Sequence, residues 1–231
     1  MGRCKEIDIR VIPASVANMF VKKHHYSGKV VPNSCLHFGA FLDGHLHGVL
    51  QYGPSMDKRQ TIRLVEDTKW NEFLELNRMA FDDYLPRNSE SYCIGATLRM
   101  IKKKAPHIKW VISFADGCSC GDGTIYRASN FVLTQIKKNN TIRVDENGNK
   151  ISSMTITAHT TGNKQKELKE NTKTLDGYMF RYIYFLDKKC REKLTCEILP
   201  FSEIDKIGAG MYKGEKCSQA ERHEIKTEKH E

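Results

Sequence analysis

Apolar and polar positions along the chain switch between two periods. The opening "EIDIRVI" alternates as a strand does, and "PASVANMFVKKHHYS" then sets Val16, Met19, Phe20 and Lys23 at helical spacing behind Pro13, which suits a first helical turn. After a loop over residues 28–33, "SCLHFGAFLDG" and "HLHGVLQYG" read as two strands joined at Asp43-Gly44. That dipeptide supplies the positive φ angles of a tight hairpin. A polar stretch, 54–69, precedes "FLELNRMAFDD", where Leu74, Leu76 and Met79 to Phe81 suggest a strand whose register the pattern leaves open.

The stretch "LPRNSESYCIGATLRMIKKKAP" carries helix signals at both ends. Asn88 or Ser89 can cap, Glu90 falls in the first turn, and Lys102, Lys103 and Lys104 complement the negative end before Pro106. Tyr92, Gly95, Leu98 and Ile101 share one face. "HIKWVISFAD" is then a strand, "GTIYRASNF" a short helical segment and "FVLTQI" a strand. The polar region 137–176 contains a turn at Asp145-Glu146-Asn147-Gly148 and a possible strand in "SMTITAHTT", and reads as an insertion or mobile loop. "YMFRYIYFLD" follows as the final strand, on its aromatic and β-branched content.

This order of elements predicts an α/β domain with a mixed sheet flanked by helices. The expected organisation is one domain over 1–212, with the polar insertion inside it, and a charged, disordered tail over 213–231.

Charge narrows the class of partner. The formal net charge is +9, and the terminal stretch balances its basic and acidic side chains, so the excess belongs to the body. A basic body favours a polyanion such as nucleic acid. No apolar run approaches the roughly 20 residues of a membrane span, and the N-terminus lacks the apolar core of a signal peptide. Eight cysteines without a CxxC pair fit a cytoplasmic protein with reduced thiols. Cys118 and Cys120, a CxC pair without a second pair at ligand spacing, fall short of a structural zinc signature.

The candidate chemistry centres on "VISFADGCSCGDGTIYRASNF". A buried strand delivers Asp116 at its carboxyl end, where ligands of open α/β sheets gather, and small residues then lead to Tyr126 in a short helix. Asp116 and Tyr126 can form an acid/base pair beside a backbone-lined cleft. Equally, Asp116 can cap the next segment while Tyr126 packs in the core.

Together with "HHYSGKVVPN", "FGAFLDGHLHGVLQYG", "ELNRMAFDDYLPRNSES" and the late "FRYIYFLDKKCREKLTCEILPF", this stretch resembles the Mom family of DNA-modification proteins across residues 20–200. The resemblance implies a fold similar to the GNAT acyltransferases. It also implies conversion of adenine in DNA to N6-carbamoylmethyladenine, protecting phage DNA from host restriction inside the bacterial cytoplasm. Carried across residue by residue, it points to His25, Tyr26, Arg78, Ser91, Asp116 and Tyr126 as catalytic, with Asn88 and Asn130 joining Arg78 and Ser91 around the group donor. Lys102, Lys103, Lys104 and Arg127 become candidate DNA contacts.

Two departures bear on cofactors. Cys118-Ser119-Cys120-Gly121-Asp122 stands where the resemblance leads one to expect a histidine, so its work is either dispensable or falls to Asp122 or a cysteine thiolate. "SYCIGA" also lacks the Arg and first Gly of the usual acyl-CoA pyrophosphate turn. Acetyl-CoA and a glycine-derived donor both stay open, and iron is possible without sequence support. Two rival functions remain: an acetyltransferase for a small amine or peptide, and a non-catalytic DNA-binding protein.

Overall fold

A computed structural model describes residues 3–153, 156, 161–212, 214–218 and 220–222. Its elements run β1 (Asp8–Val11), α1 (Ala14–His24), β2 (Leu36–Leu42), β3 (His45–Gly53), α2 (Lys58–Thr61), β4 (Phe73–Phe81), α3 (Ser89–Lys104), β5 (Trp110–Asp116), α4 (Thr124–Ala128), β6 (Val132–Lys138), β7 (Ile142–Asp145), β8 (Lys150–Ser152), β9 (Thr172–Thr174), β10 (Tyr178–Phe185), β11 (Met211–Tyr212) and β12 (Glu215–Lys216). Further helices cover Gly162–Glu170 and Ser202–Lys206. The main sheet has the order β1-β2-β3-β4-β5-β10-β6. Strands β1 to β4 pair antiparallel and β4 pairs parallel with β5, so the α/β class with a mixed sheet holds.

The chain divides into two compact units. The first comprises Met1–Phe114, Thr124–Thr134 and Arg181–Leu199. Its hairpin turns at Asp43-Gly44, with φ of 52° and 80°, the left-handed pair that a two-residue turn of this hand requires. Helices α1 and α3 cover opposite faces of its sheet. Adjacent residues of β3 show this: Gln51 donates to Asn18 Oδ1 of α1 at 2.9 Å, while Tyr52 bonds Thr97 of α3 at 2.7 Å.

The buried stripe of α1 differs from the expected one. Ala17 and Val21 are fully buried against Val49, Ala80 and Ile12, with Val16 and Phe20 packed beside them, whereas Met19 is exposed. A small residue at the contact lets the helix approach the sheet closely. On α3 the buried set is Ser89, Cys93, Ile94, Thr97, Leu98 and Ile101, which keeps Leu98 and Ile101 of the expected face but not Tyr92 and Gly95. Each fully buried Leu or Ile there contributes about 1.5–3 kcal/mol.

The second unit comprises Ala115–Gly123, Gln135–Phe180 and Pro200–Glu231. The polar region expected as an insertion supplies a three-stranded sheet, β8-β7-β9, and the helix Gly162–Glu170. Asn139 secures the base of that sheet, donating to the Ile142 and Leu175 carbonyls at 2.9 and 2.7 Å and accepting the Ile142 amide at 2.9 Å. Most of "SMTITAHTT" lies outside the described residues. The last strand is β12 rather than "YMFRYIYFLD", and it lies within the segment from residue 213 onward. Arg222 is buried there against Asp122, a partner that hydropathy does not reveal.

Candidate active site

A β-bulge turns Arg78 toward α1. Leu76 lies opposite Tyr52 and Arg78 opposite Gln51, so Asn77 is the extra residue and side-chain alternation resumes one step late. Arg78 consequently shares the face of Gln51, the residue bonded to α1. Its Nε donates to the Lys29 carbonyl at 2.9 Å and Nη1 to the Asn77 carbonyl at 2.8 Å. No carboxylate pairs with it among the described residues. Burial lowers its pKa, with Tyr26 and Glu75 opposing that shift.

His25 ends α1, and its backbone amide closes the helix on the Val21 carbonyl at 2.9 Å. The Ser27 amide donates to His25 Nδ1 at 3.1 Å, and the Ser27 hydroxyl lies 2.8 Å from the same nitrogen. An amide can only donate, so Nδ1 is the acceptor and the ring proton sits on Nε2. Burial, assisted by the Arg78 charge, lowers the His25 pKa to about 4. His25 is therefore neutral at pH 7, a donor through Nε2. The Tyr26 ring lies 4.3 Å from the His25 ring and is 57% exposed.

Around Arg78 a polar shelf forms that the sequence reading passed over. Asn33 and Asn77 both donate to the Pro54 carbonyl, at 2.7 and 3.5 Å, and Ser34 donates to Asn77 Oδ1 at 3.1 Å. Gly53 makes this possible, since a Cβ there would lie 2.4 Å from the Asn33 carbonyl. Burial raises the pKa of Glu75, against hydrogen bonding from Ser55 and Asn77. The signal was the adjacent pair Asn77-Arg78, two polar residues in succession inside an apolar strand.

At the start of α3, Asn88 takes a left-handed φ of 70° and its side chain does not cap. Ser91 Oγ instead donates to the Asn88 carbonyl at 3.1 Å, and Ser89 Oγ to the Pro86 carbonyl at 2.5 Å. The amides of Glu90 and Ser91 have no acceptor among the described residues, leaving donors at the positive end of a 16-residue helix. Lys102, Lys103 and Lys104 are exposed at the other end, about 18 Å away at 1.5 Å per residue.

Tyr126 is buried, 7% exposed, with ring contacts to Phe131 at 5.4 Å and Tyr182 at 5.1 Å. Arg127 and Asn130 are exposed, and Asn130, in the turn after α4, has a left-handed φ of 63°.

Asp116 lies in the second unit, half-buried. Its Oδ1 accepts the Cys118 amide at 2.9 Å, and its carbonyl accepts the amides of Cys120 and Gly121 at 3.0 and 3.1 Å. The loop of small residues is thus wound on Asp116. Gly117 is obligatory, because a Cβ would meet the Phe180 ring at 2.4 Å and the Tyr178 carbonyl at 2.6 Å. Burial and the Asp116 charge push the Cys118 thiol up to about 12 and raise Cys120 as well, so neither is a thiolate at neutral pH. Asp122 is locked by Arg222 and accepts the Met211 amide at 3.4 Å. Neither Asp122 nor a cysteine thiolate is available for the work of the absent histidine.

The donor set does not fit a metal among the described residues. No three His, Cys, Asp or Glu side chains converge there, and His25 Nδ1 is already engaged by Ser27. All eight cysteines are free, and no described helix is long and apolar enough to cross a membrane.

Fold and site define an α/β protein with a neutral histidine, a desolvated guanidinium and open helix amides in one unit, and a loop-winding carboxylate in the other. The model of the Mom protein family matches residues 6–203, and this chain belongs to that family. Methylcarbamoylase Mom of Escherichia phage Mu is 33% identical over 198 residues, covering 84% of this chain and 81% of that protein. Among solved structures, spermidine/spermine N-acetyltransferase SpeG from Vibrio cholerae aligns with a TM-score of 0.48 at 8% identity, over 83% of this chain and 99% of that one. The Escherichia coli ribosomal-protein-S18-alanine N-acetyltransferase aligns with a TM-score of 0.46 at 9% identity, over 78% and 94%.

Proposed function

We propose that this protein is a DNA-modifying transferase that installs a carbamoylmethyl group on adenine N6, shielding phage DNA from restriction. The observation that carries the reading is the 33% identity to methylcarbamoylase Mom across 84% of the chain. The +9 charge supports a polyanionic substrate.

Adenine N6 is stacked and paired in a duplex, so the base must be extruded or met unpaired. Its amine is also a poor nucleophile, because the lone pair is delocalised into the ring. In the proposed reaction N6 attacks the methylene carbon of the donor, the leaving group departs with the bonding pair, and the N6 proton passes to Asp116. The donor is assigned only by class, as a carbamoylmethyl group on a leaving group.

Arg78 is suited to hold the donor's anionic or carbonyl oxygen, since its guanidinium is already fixed by two main-chain carbonyls. The amides of Glu90 and Ser91 add donors where negative charge collects. His25, neutral and donating through Nε2, and Tyr26 beside it complete the base pocket. Tyr126 serves as a positioning residue rather than a proton donor, consistent with its burial.

Mass spectrometry of nucleosides from DNA of expressing cells tests the reading. The wild type should add a carbamoylmethyl mass to deoxyadenosine, and Asp116→Asn should not.

A further inference from the structure

The chain has two tryptophans with opposite fates. Trp110 is fully buried and stacks on Phe73 at 4.4 Å with the rings 5° from parallel. Trp70 is 53% exposed, and Lys58 Nζ sits over its ring at 4.6 Å and 5.6 Å from the Phe73 ring. Lys58 thus braces an exposed indole against a rigid buried pair. Met56, Arg59 and Lys69 are exposed beside these residues in sequence.

The segment that carries Lys58 starts at Pro54, a residue held by the shelf beside Arg78. Arg78 holds the Lys29 carbonyl, and Asn33 and Asn77 hold the Pro54 carbonyl. Asp57 Oδ1, three residues on, accepts the Gln60 amide at 3.3 Å and fixes the start of α2, whose first residue is Lys58. A positioned exposed indole with one ammonium against it matches what single-stranded nucleic acid needs: a π-face for a base and a cation for the adjoining phosphate.

We propose that Trp70 and Lys58 form a base-stacking and phosphate-binding station for an unpaired stretch of the DNA substrate. The inference rests on the DNA reading above and adds a surface and a strand state to it. Trp70 stacks a base of the unpaired segment, and Lys58 contacts the adjoining phosphate.

The test uses the full chain and a single-stranded adenine-containing oligonucleotide at low salt. Binding is followed by anisotropy of a labelled oligonucleotide and, separately, by tryptophan emission with an unlabelled one. The expected result is saturable quenching with the same midpoint as the anisotropy change. It should vanish in Trp70→Phe, which keeps an aromatic face and most of the binding. Trp70→Ala should weaken binding roughly five- to 150-fold, the range that base stacking on an aromatic carries. Lys58→Gln should lower the slope of log affinity against log salt by about 0.7. Anisotropy binding with unchanged emission, or undiminished affinity in a folded Trp70→Ala protein, would overturn this station and leave DNA as substrate. No anisotropy change with the single strand would overturn the station, and none with duplex DNA of the same sequence as well would overturn the DNA reading too.

Discussion

Arg78 holds the Lys29 carbonyl through Nε at 2.9 Å across 49 positions of sequence, tying the middle of β4 to the loop after α1. The loop that follows His25 and Tyr26 is therefore anchored by a side chain that is itself a candidate donor-binding group. An Arg78→Lys variant keeps the charge but cannot span both carbonyls. It should lose modification at least tenfold and lose about 1–2 kcal/mol of stability, read from modified deoxyadenosine content and a urea midpoint.

His25 makes stability depend on pH. Its pKa falls from the ordinary 6.5 to about 4 in the folded protein, so the unfolded chain binds the proton more tightly. The contribution is complete above pH 6.5 and is lost as pH falls from there through 4. Urea midpoints of His25→Gln should accordingly fall less than those of the wild type between pH 7 and pH 4. Part of the fall should remain, because burial lowers His37 as well.

The Asp122–Arg222 pair makes a second stability claim. Both side chains are buried, and Arg222 also donates to the Cys217 carbonyl at 2.8 Å. Arg222→Met leaves an uncompensated buried carboxylate and should cost about 3–5 kcal/mol. Adding Asp122→Asn should recover part of that loss in thermal or urea melts.

Gly117 tests the winding of the loop on Asp116. Gly117→Ala puts a methyl group into the Phe180 ring and the Tyr178 carbonyl and should destabilise by about 1–3 kcal/mol. Nucleoside analysis of the folded fraction should show reduced modification, since the carboxylate moves with its loop.

Where local chemistry decides structure, the sequence was sufficient. Asp43-Gly44 demands a left-handed pair and obtains it, and the acidic start and basic end of "SESYCIGATLRMIKKK" bracket α3. Non-local events were hidden. The bulge at Asn77 interrupts the strand period that sequence reading relies on, so the direction of Arg78 could not be derived from counting. The Asp122–Arg222 pair joins residues 100 apart, and nothing in a charged terminal segment marks one arginine for burial. His25 was legible as a candidate but its protonation was not, because that depends on the Ser27 amide and the nearby Arg78.

The most direct measurement is mass spectrometry of digested DNA from cells expressing the wild type or Asp116→Asn. Asparagine retains the oxygen that accepts the Cys118 amide, so the variant should fold while lacking the proton acceptor. The account predicts a carbamoylmethyl mass on deoxyadenosine with the wild type and its absence with the variant. Unmodified DNA from soluble wild-type protein, or equal modification by Asp116→Asn, would contradict it.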